Sequence, residues 1–192
     1  MIAYVITEGP SDQALLKAVL PEHLLREVRF VAAGGLSSMA SLARSLLADR
    51  RVPVLIVADA DTIDPESIQD RRQSIEEAVA YVAHSIPVKV VLAVPEIESV
   101  FFRDAALLSR WLGYSPSPEL LAMAHYQPRQ ALLKLLAPAQ KEIIHLLSDP
   151  LHESEIETLR DIPFIREIIQ FLSAISPDRA TLPQSKPIQN HA

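Results

Sequence analysis

The chain has 192 residues, of which 49% are hydrophobic, a formal charge of −6 and no cysteine. That length suits one ordinary domain with a sizeable core, and the missing cysteines exclude disulfides and thiolate metal sites, so a reducing cytoplasm is the economical expectation. The net negative charge excludes a protein that holds nucleic acid under a blanket of positive charge, and no apolar run approaches the roughly 20 residues of a membrane span.

The opening MIAYVITEG lacks the basic n-region of a signal peptide. Ile2 to Thr7 reads as a short apolar strand. From Pro10 a helix is predicted, with Ala14, Leu15, Ala18 and Val19 at helical spacing and the proline suited to a first turn. Val28 to Ala33 reads as a second strand ending at Gly34-Gly35, and Ser38 to Arg50 as a helix. Val52 to Ala58 is nearly continuous in aliphatic residues, the pattern of a strand covered on both faces. Asp64-Pro65 reads as an N-cap and first helical residue, opening a helix that runs to Ser85. Pro87 ends it, and Val88 to Val94 is the fourth strand. Strands separated by helices favour parallel pairing, because a parallel crossover needs a dozen or more residues. The fold class is therefore α/β.

After Glu98 the strand signal fades. Val100 to Leu112, Glu119 to Leu136, Ala139 to Leu147 and Pro163 to Ile175 read as helices, with Ser117-Pro118 and a Ser154 to Glu157 capping box as starts. The chain thus divides into an α/β core over residues 1–102, a helical extension over 103–175 and a polar tail over 176–192 that is expected to be mobile. Residues 103–141 carry five Lys or Arg against two Asp or Glu, the only net basic stretch. Arg103, Arg129, Lys134 and Lys141 are its candidates for nucleic-acid contact, set against the plain reading of a solvated face. Trp111, Tyr114 and Tyr126 read as packing residues, with base stacking as the alternative use. The six histidines show no metal-ligand spacing.

Three strands run directly into acids: YVIT into Glu8, VLIVA into Asp59 and Asp61, and VVLAV into Glu96 and Glu98. Ligands of open α/β sheets bind beyond the carboxyl ends of the strands, so parallel pairing gathers these groups on one edge. Asp12 stands near them, although a helix-start charge explains it equally well. Crowded carboxylates hold protons unless cations neutralise them, and an oxygen-only site suits Mg²⁺ or Mn²⁺. Such ions activate water and stabilise the leaving oxygen in displacement at phosphorus. The metal candidates are therefore Glu8, Asp12, Asp59, Asp61, Glu96 and Glu98.

TEGPSD resembles the E-G-x-x-D opening of TOPRIM domains, the module shared by topoisomerases, primases and several nucleases, and VADAD is similar to their D-x-D motif. VPEIESVFF further resembles the acidic segment after the fourth strand in nucleases of the overcoming-lysogenization-defect class and related phage-defence proteins. The resemblance covers residues 2 to about 99. It implies a mostly parallel, Rossmann-like TOPRIM sheet flanked by helices, here with a C-terminal helical extension. It also implies a Mg²⁺- or Mn²⁺-dependent endonuclease cleaving phosphodiester bonds in DNA or RNA, with Glu8, Asp59 and Asp61 as catalytic residues and either Glu96 or Glu98 as a further ligand. A basic residue that the family uses has no assigned equivalent; Arg103, Lys134 and Lys141 are candidates. In the defence class the domain is often joined to an ATPase, and no Walker-type loop occurs in this sequence. An ATPase partner or a homo-oligomer is therefore expected.

Two other enzyme or binding classes gather acids in this way. VLIVADADTI also resembles the start of haloacid-dehalogenase-like phosphatases, but Thr62 stands one place early for that motif, and a whole strand-helix-strand-helix unit precedes it. A response-regulator receiver would need an acidic pair where Glu8-Gly9 stands. A non-enzymatic reading is a TOPRIM-like module that binds a metal or partner without turnover.

Overall fold

The computed structural model describes residues 2–140, 142–147 and 150–176. The first half alternates strand and helix as β1 (Ala3–Thr7), α1 (Pro10–Val19), the short α2 (Glu22–Leu25), β2 (Val28–Ala32), α3 (Leu36–Arg50), β3 (Val54–Asp59), α4 (Pro65–Ala83) and β4 (Val88–Ala93). A 3-10 turn over Ile97–Phe102 leads into α5 (Ala105–Leu112), α6 (Pro118–Ala124), α7 (Pro128–Leu136), α8 (Glu153–Arg160) and α9 (Pro163–Ile175), with two more 3-10 turns, Ala137–Ala139 and Ile143–Leu147, between α7 and α8.

All four strands are parallel, in the order β2-β1-β3-β4. The expected α/β class, a parallel Rossmann-like sheet flanked by helices, is the observed one. Alternate residues of each strand face opposite layers, as a pleated strand requires. Val5, Leu55, Val57 and Val91 point into a core shared with α1, α5, α7 and α9, whereas Ile6, Ile56, Val90 and Leu92 pack with Met39, Ala43 and Leu47 of α3 and Ile75 and Val79 of α4. Both faces of the central strands are covered, which is why β3 reads as an unbroken aliphatic run. The described helices after residue 103 thus share one apolar core with the sheet, which includes an edge-to-face pair of Phe101 and Trp111 with ring centroids 5.3 Å apart.

Several predicted helices break into shorter pieces. The stretch Glu119 to Leu136 is two helices, because Pro128 has no N–H to give and starts a new first turn instead. Val100 to Leu112 becomes a 3-10 turn and then α5, whose start is fixed by Asp104 accepting the Leu107 N–H at 2.8 Å. Ala139 to Leu147 holds only 3-10 turns among its described residues. Helix α8 begins one residue before Ser154, with Glu155 rather than Glu157 reaching back, to the His152 N–H at 2.7 Å. Asp64 does cap α4, accepting from both the N–H and the hydroxyl of Ser67. The tail expected to be mobile lies, from residue 177 on, outside the described residues.

Candidate metal centre at the carboxyl edge of the sheet

The strand order places a topological switch between β1 and β3. From β1 the chain moves outward to β2, and from β3 it moves the other way to β4. The connections leave in opposite directions there, which is where open α/β sheets form a ligand crevice beyond the carboxyl ends of the strands. Glu8 follows β1 directly and Asp59 is the last residue of β3, one position later than the sequence suggests for that strand. Glu8 Oε1 accepts the backbone N–H of Asp59 at 3.1 Å, tying the two strand ends together across the switch.

Asp59 in turn reaches the end of β4. Its Oδ1 accepts the N–H of Ile97 at 2.8 Å, which orients the 3-10 turn carrying Glu98. Glu98 is 1% exposed, and neither carboxylate oxygen has a hydrogen-bond partner among the described residues. Such a group carries a full desolvation cost unless a proton or a cation relieves it. Arg129, at the start of α7, brings its guanidinium to 3.6 Å from Glu98 Oε1, a Coulombic contact rather than a hydrogen bond.

The electrostatics follow from this crowding. Burial lifts the Asp59 carboxyl to about 8; the charge of Glu98 adds to the rise, the Ile97 N–H opposes it, and Glu8 and Asp12 push it further. Burial likewise lifts Glu98 to about 7, against the pull of its own backbone amide and of Arg129 and with a further push from Asp12 and Glu96. Both groups thus sit where protons and divalent cations compete near neutrality.

The predicted acids do not all join this cluster. Asp12 is buried and accepts the Gly9 N–H at 2.8 Å through Oδ2, the third helical residue closing the start of α1, so it is both a cap and a neighbouring charge. Asp61 does not share a site with Asp59. It lies in the left-handed region (φ 53°), its N–H is held by the Pro95 carbonyl at 2.8 Å, and its half-exposed carboxylate accepts from Arg71. Two residues beyond Asp59 the chain has already turned away from the sheet. Glu96 accepts the N–H of Arg129 at 2.8 Å and so caps α7. Of the Glu96 and Glu98 alternatives, Glu98 is the one beside Asp59.

Among the described residues no three Asp, Glu or His side chains converge on a common point, since the carboxylates turn onto backbone N–H groups and arginines instead. The donor set nevertheless fits a hard divalent cation. It is all oxygen, it is partly buried, and neither Glu98 oxygen has a hydrogen-bond partner among the described residues.

Among the basic candidates, Arg129 lies against the acids. Arg103 lines a neighbouring cleft, and Lys134 stands exposed on α7 with its Nζ 3.6 Å from Met123 Sδ. Lys141 lies outside the described residues. Trp111 is core, Tyr114 donates its hydroxyl to the Leu135 carbonyl at 2.7 Å, and Tyr126 is exposed. Arg71 is a residue that the motifs do not single out. It donates to the Asp59 carbonyl at 2.9 Å and to the Asp61 carboxylate, bridging the two ends of the D-x-D segment. Its sequence signal is the Arg71-Arg72 pair, the first basic residues after that segment.

The sheet order, the switch point and the crowded carboxylates together define a Rossmann-like α/β protein with an acidic carboxyl edge. Its fold is similar to that of the C-terminal region of the Burkholderia pseudomallei OLD protein, with a TM-score of 0.58 at 14% identity over 91% of this chain and 98% of that one. The C-terminal region of the Xanthomonas campestris pv. campestris OLD protein gives 0.54 at 14% identity, over 93% and 97%. At that identity the likeness is one of fold. No protein-family model and no curated protein sequence matches the chain. No helix among the described residues is long and apolar enough to cross a membrane.

Proposed function

We propose that this chain is a Mg²⁺- or Mn²⁺-dependent nuclease that hydrolyses phosphodiester bonds in DNA or RNA. The observation that carries the reading is the approach of two carboxylates, the partly buried Asp59 at the end of β3 and the buried Glu98 in the turn after β4, with neither Glu98 oxygen hydrogen-bonded among the described residues. Asp59, Glu98 and Glu8 would hold the cation. When bound it supplies Lewis-acid activation of water and stabilises the leaving oxygen. Arg129 is placed to meet a phosphate oxygen once cation binding relieves its contact with Glu98. The TOPRIM-like motifs and the fold shared with the OLD C-terminal regions support the same conclusion. A role in phage defence and an ATPase partner come from the resemblance alone.

The test is incubation of supercoiled plasmid and of structured RNA with Mg²⁺, Mn²⁺ or chelator. Metal-dependent cleavage of either substrate is expected, and Asp59→Asn abolishes it. A second reading, a module that binds a metal or partner without turnover, is favoured by one observation: Asp61 is engaged by Arg71 rather than turned to Asp59. Intact plasmid and RNA together with tight Mn²⁺ binding would select it.

A further inference from the structure

We infer that the apolar cleft beside the acidic cluster receives an unpaired nucleobase, making single-stranded nucleic acid the preferred ligand; the choice of nucleic acid as occupant rests on the nuclease reading above. The cleft has a volume of ≈ 640 Å³. That is within the roughly 300–1,000 Å³ of ordinary small-ligand sites. Pro95, Phe102 and Ile162 wall it, and Ile63 and Leu121, both substantially exposed, stand at its rim.

Its position comes from the same loops that build the acidic crevice. Pro95 directly precedes Glu96, and its carbonyl holds the Asp61 N–H at 2.8 Å. Ser99, another lining residue, follows Glu98, and Ile63 lies two residues beyond Asp61. A ligand in the cleft therefore lies next to the carboxylates, not across the molecule from them.

The lining chemistry selects the occupant. Apolar lining that includes the Phe102 and His125 rings suits a π-face, and stacking of this kind is tolerant of base identity. Arg103 adds a cation that forms no ion pair with the described acidic residues and suits the phosphate attached to that base. A nucleotide combines these two features. In a duplex the base is stacked and must be extruded at a cost of a few kcal/mol, whereas an unpaired base enters without it.

The experiment measures binding in chelator, where no metal-dependent cleavage occurs and the acids contribute only repulsion. Fluorescent DNA and RNA strands of about 12 nucleotides, within the usual site size for single-strand binders, are compared with their duplexes by anisotropy at fixed salt. The single strands are expected to bind about tenfold more tightly than the duplexes, and Leu121→Asn, which removes the apolar rim, and Arg103→Ala each to weaken single-strand binding by about tenfold with a smaller loss for duplex. Equal affinity for single and double strands, or single-strand binding unaffected by both substitutions in folded protein, would overturn the inference. Arg103→Ala, at an exposed side chain, carries the test if Leu121→Asn does not fold. A protein that binds single strands in this way yet leaves plasmid and RNA intact with Mg²⁺ and Mn²⁺ would refute the nuclease reading and retain the cleft. Cleavage without single-strand preference would refute the cleft alone.

Discussion

Glu8 accepts the backbone N–H of Asp59 at 3.1 Å, so a side chain after β1 fixes the end of β3 at the point where the sheet changes direction. The bond needs an acceptor and not a charge. Glu8→Gln keeps an acceptor oxygen and removes one negative charge from a crowded cluster. Its metal-free melting temperature is expected to hold or rise, while cleavage falls by about 100-fold or more, the size of loss usual for a group acting in the chemical step. Glu8→Ala, which deletes the acceptor, is expected to cost about 1 kcal/mol in urea unfolding. A large fall in stability for Glu8→Gln would mark the residue as structural only.

Stability in metal-free buffer is expected to decline as pH rises from about 4 to about 8. Asp59 and Glu98 have folded-state values raised above their ordinary 3.8 and 4.5, to about 8 and about 7. Between the two limits the native state binds more protons than the unfolded state, so each unit of pH removes up to about 1.4 kcal/mol per group. Asp59→Asn abolishes its own part of this slope, so its stability gains on that of the wild type between pH 5 and pH 8. Parallel urea curves at the two pH values check the sign.

The same protons oppose the cation. Mn²⁺ affinity measured by calorimetry is expected to strengthen from pH 6 to pH 8, with protons released in amounts that depend on neither plasmid nor RNA. Asp59→Asn and Glu98→Gln are each expected to weaken binding by about tenfold or more. Saturating Mn²⁺ should raise the melting temperature more at pH 8 than at pH 6.

Arg129 balances Glu98 across 3.6 Å, and its backbone N–H, not its side chain, holds Glu96. Charge reversal as Arg129→Glu therefore leaves the cap of α7 in place and adds repulsion at the crevice. With Lys134→Glu on the same helix, nucleic-acid affinity is expected to fall. Replacing the two cations by alanine is expected to flatten the dependence of log affinity on log salt by up to about 1 to 2, according to how many phosphates they meet. Anisotropy titrations over a salt series read this slope.

What the sequence by itself determined is the part written in local chemistry. The aliphatic runs before Glu8, Gly34, Asp59 and Glu96, and the helices between them, point to four strands in a parallel sheet, because connections long enough to hold a helix favour parallel pairing; the acids then fall on one edge by geometry alone. Asp64 is legible as a cap for the same reason, since its partner Ser67 lies three residues away. Tertiary structure decided which acids share a site. Asp59 and Asp61 are neighbours in the D-x-D motif, yet a left-handed turn at Asp61 and the reach of Arg71 separate them, while Glu98, 39 positions from Asp59, is brought beside it by the Ile97 N–H. Glu96 and Glu98 are indistinguishable in the chain. Only the seating of α7 against the turn after β4 buries one and turns the other into a cap, because desolvation and orphan helix N–H groups are properties of the packed molecule and not of any short stretch of sequence.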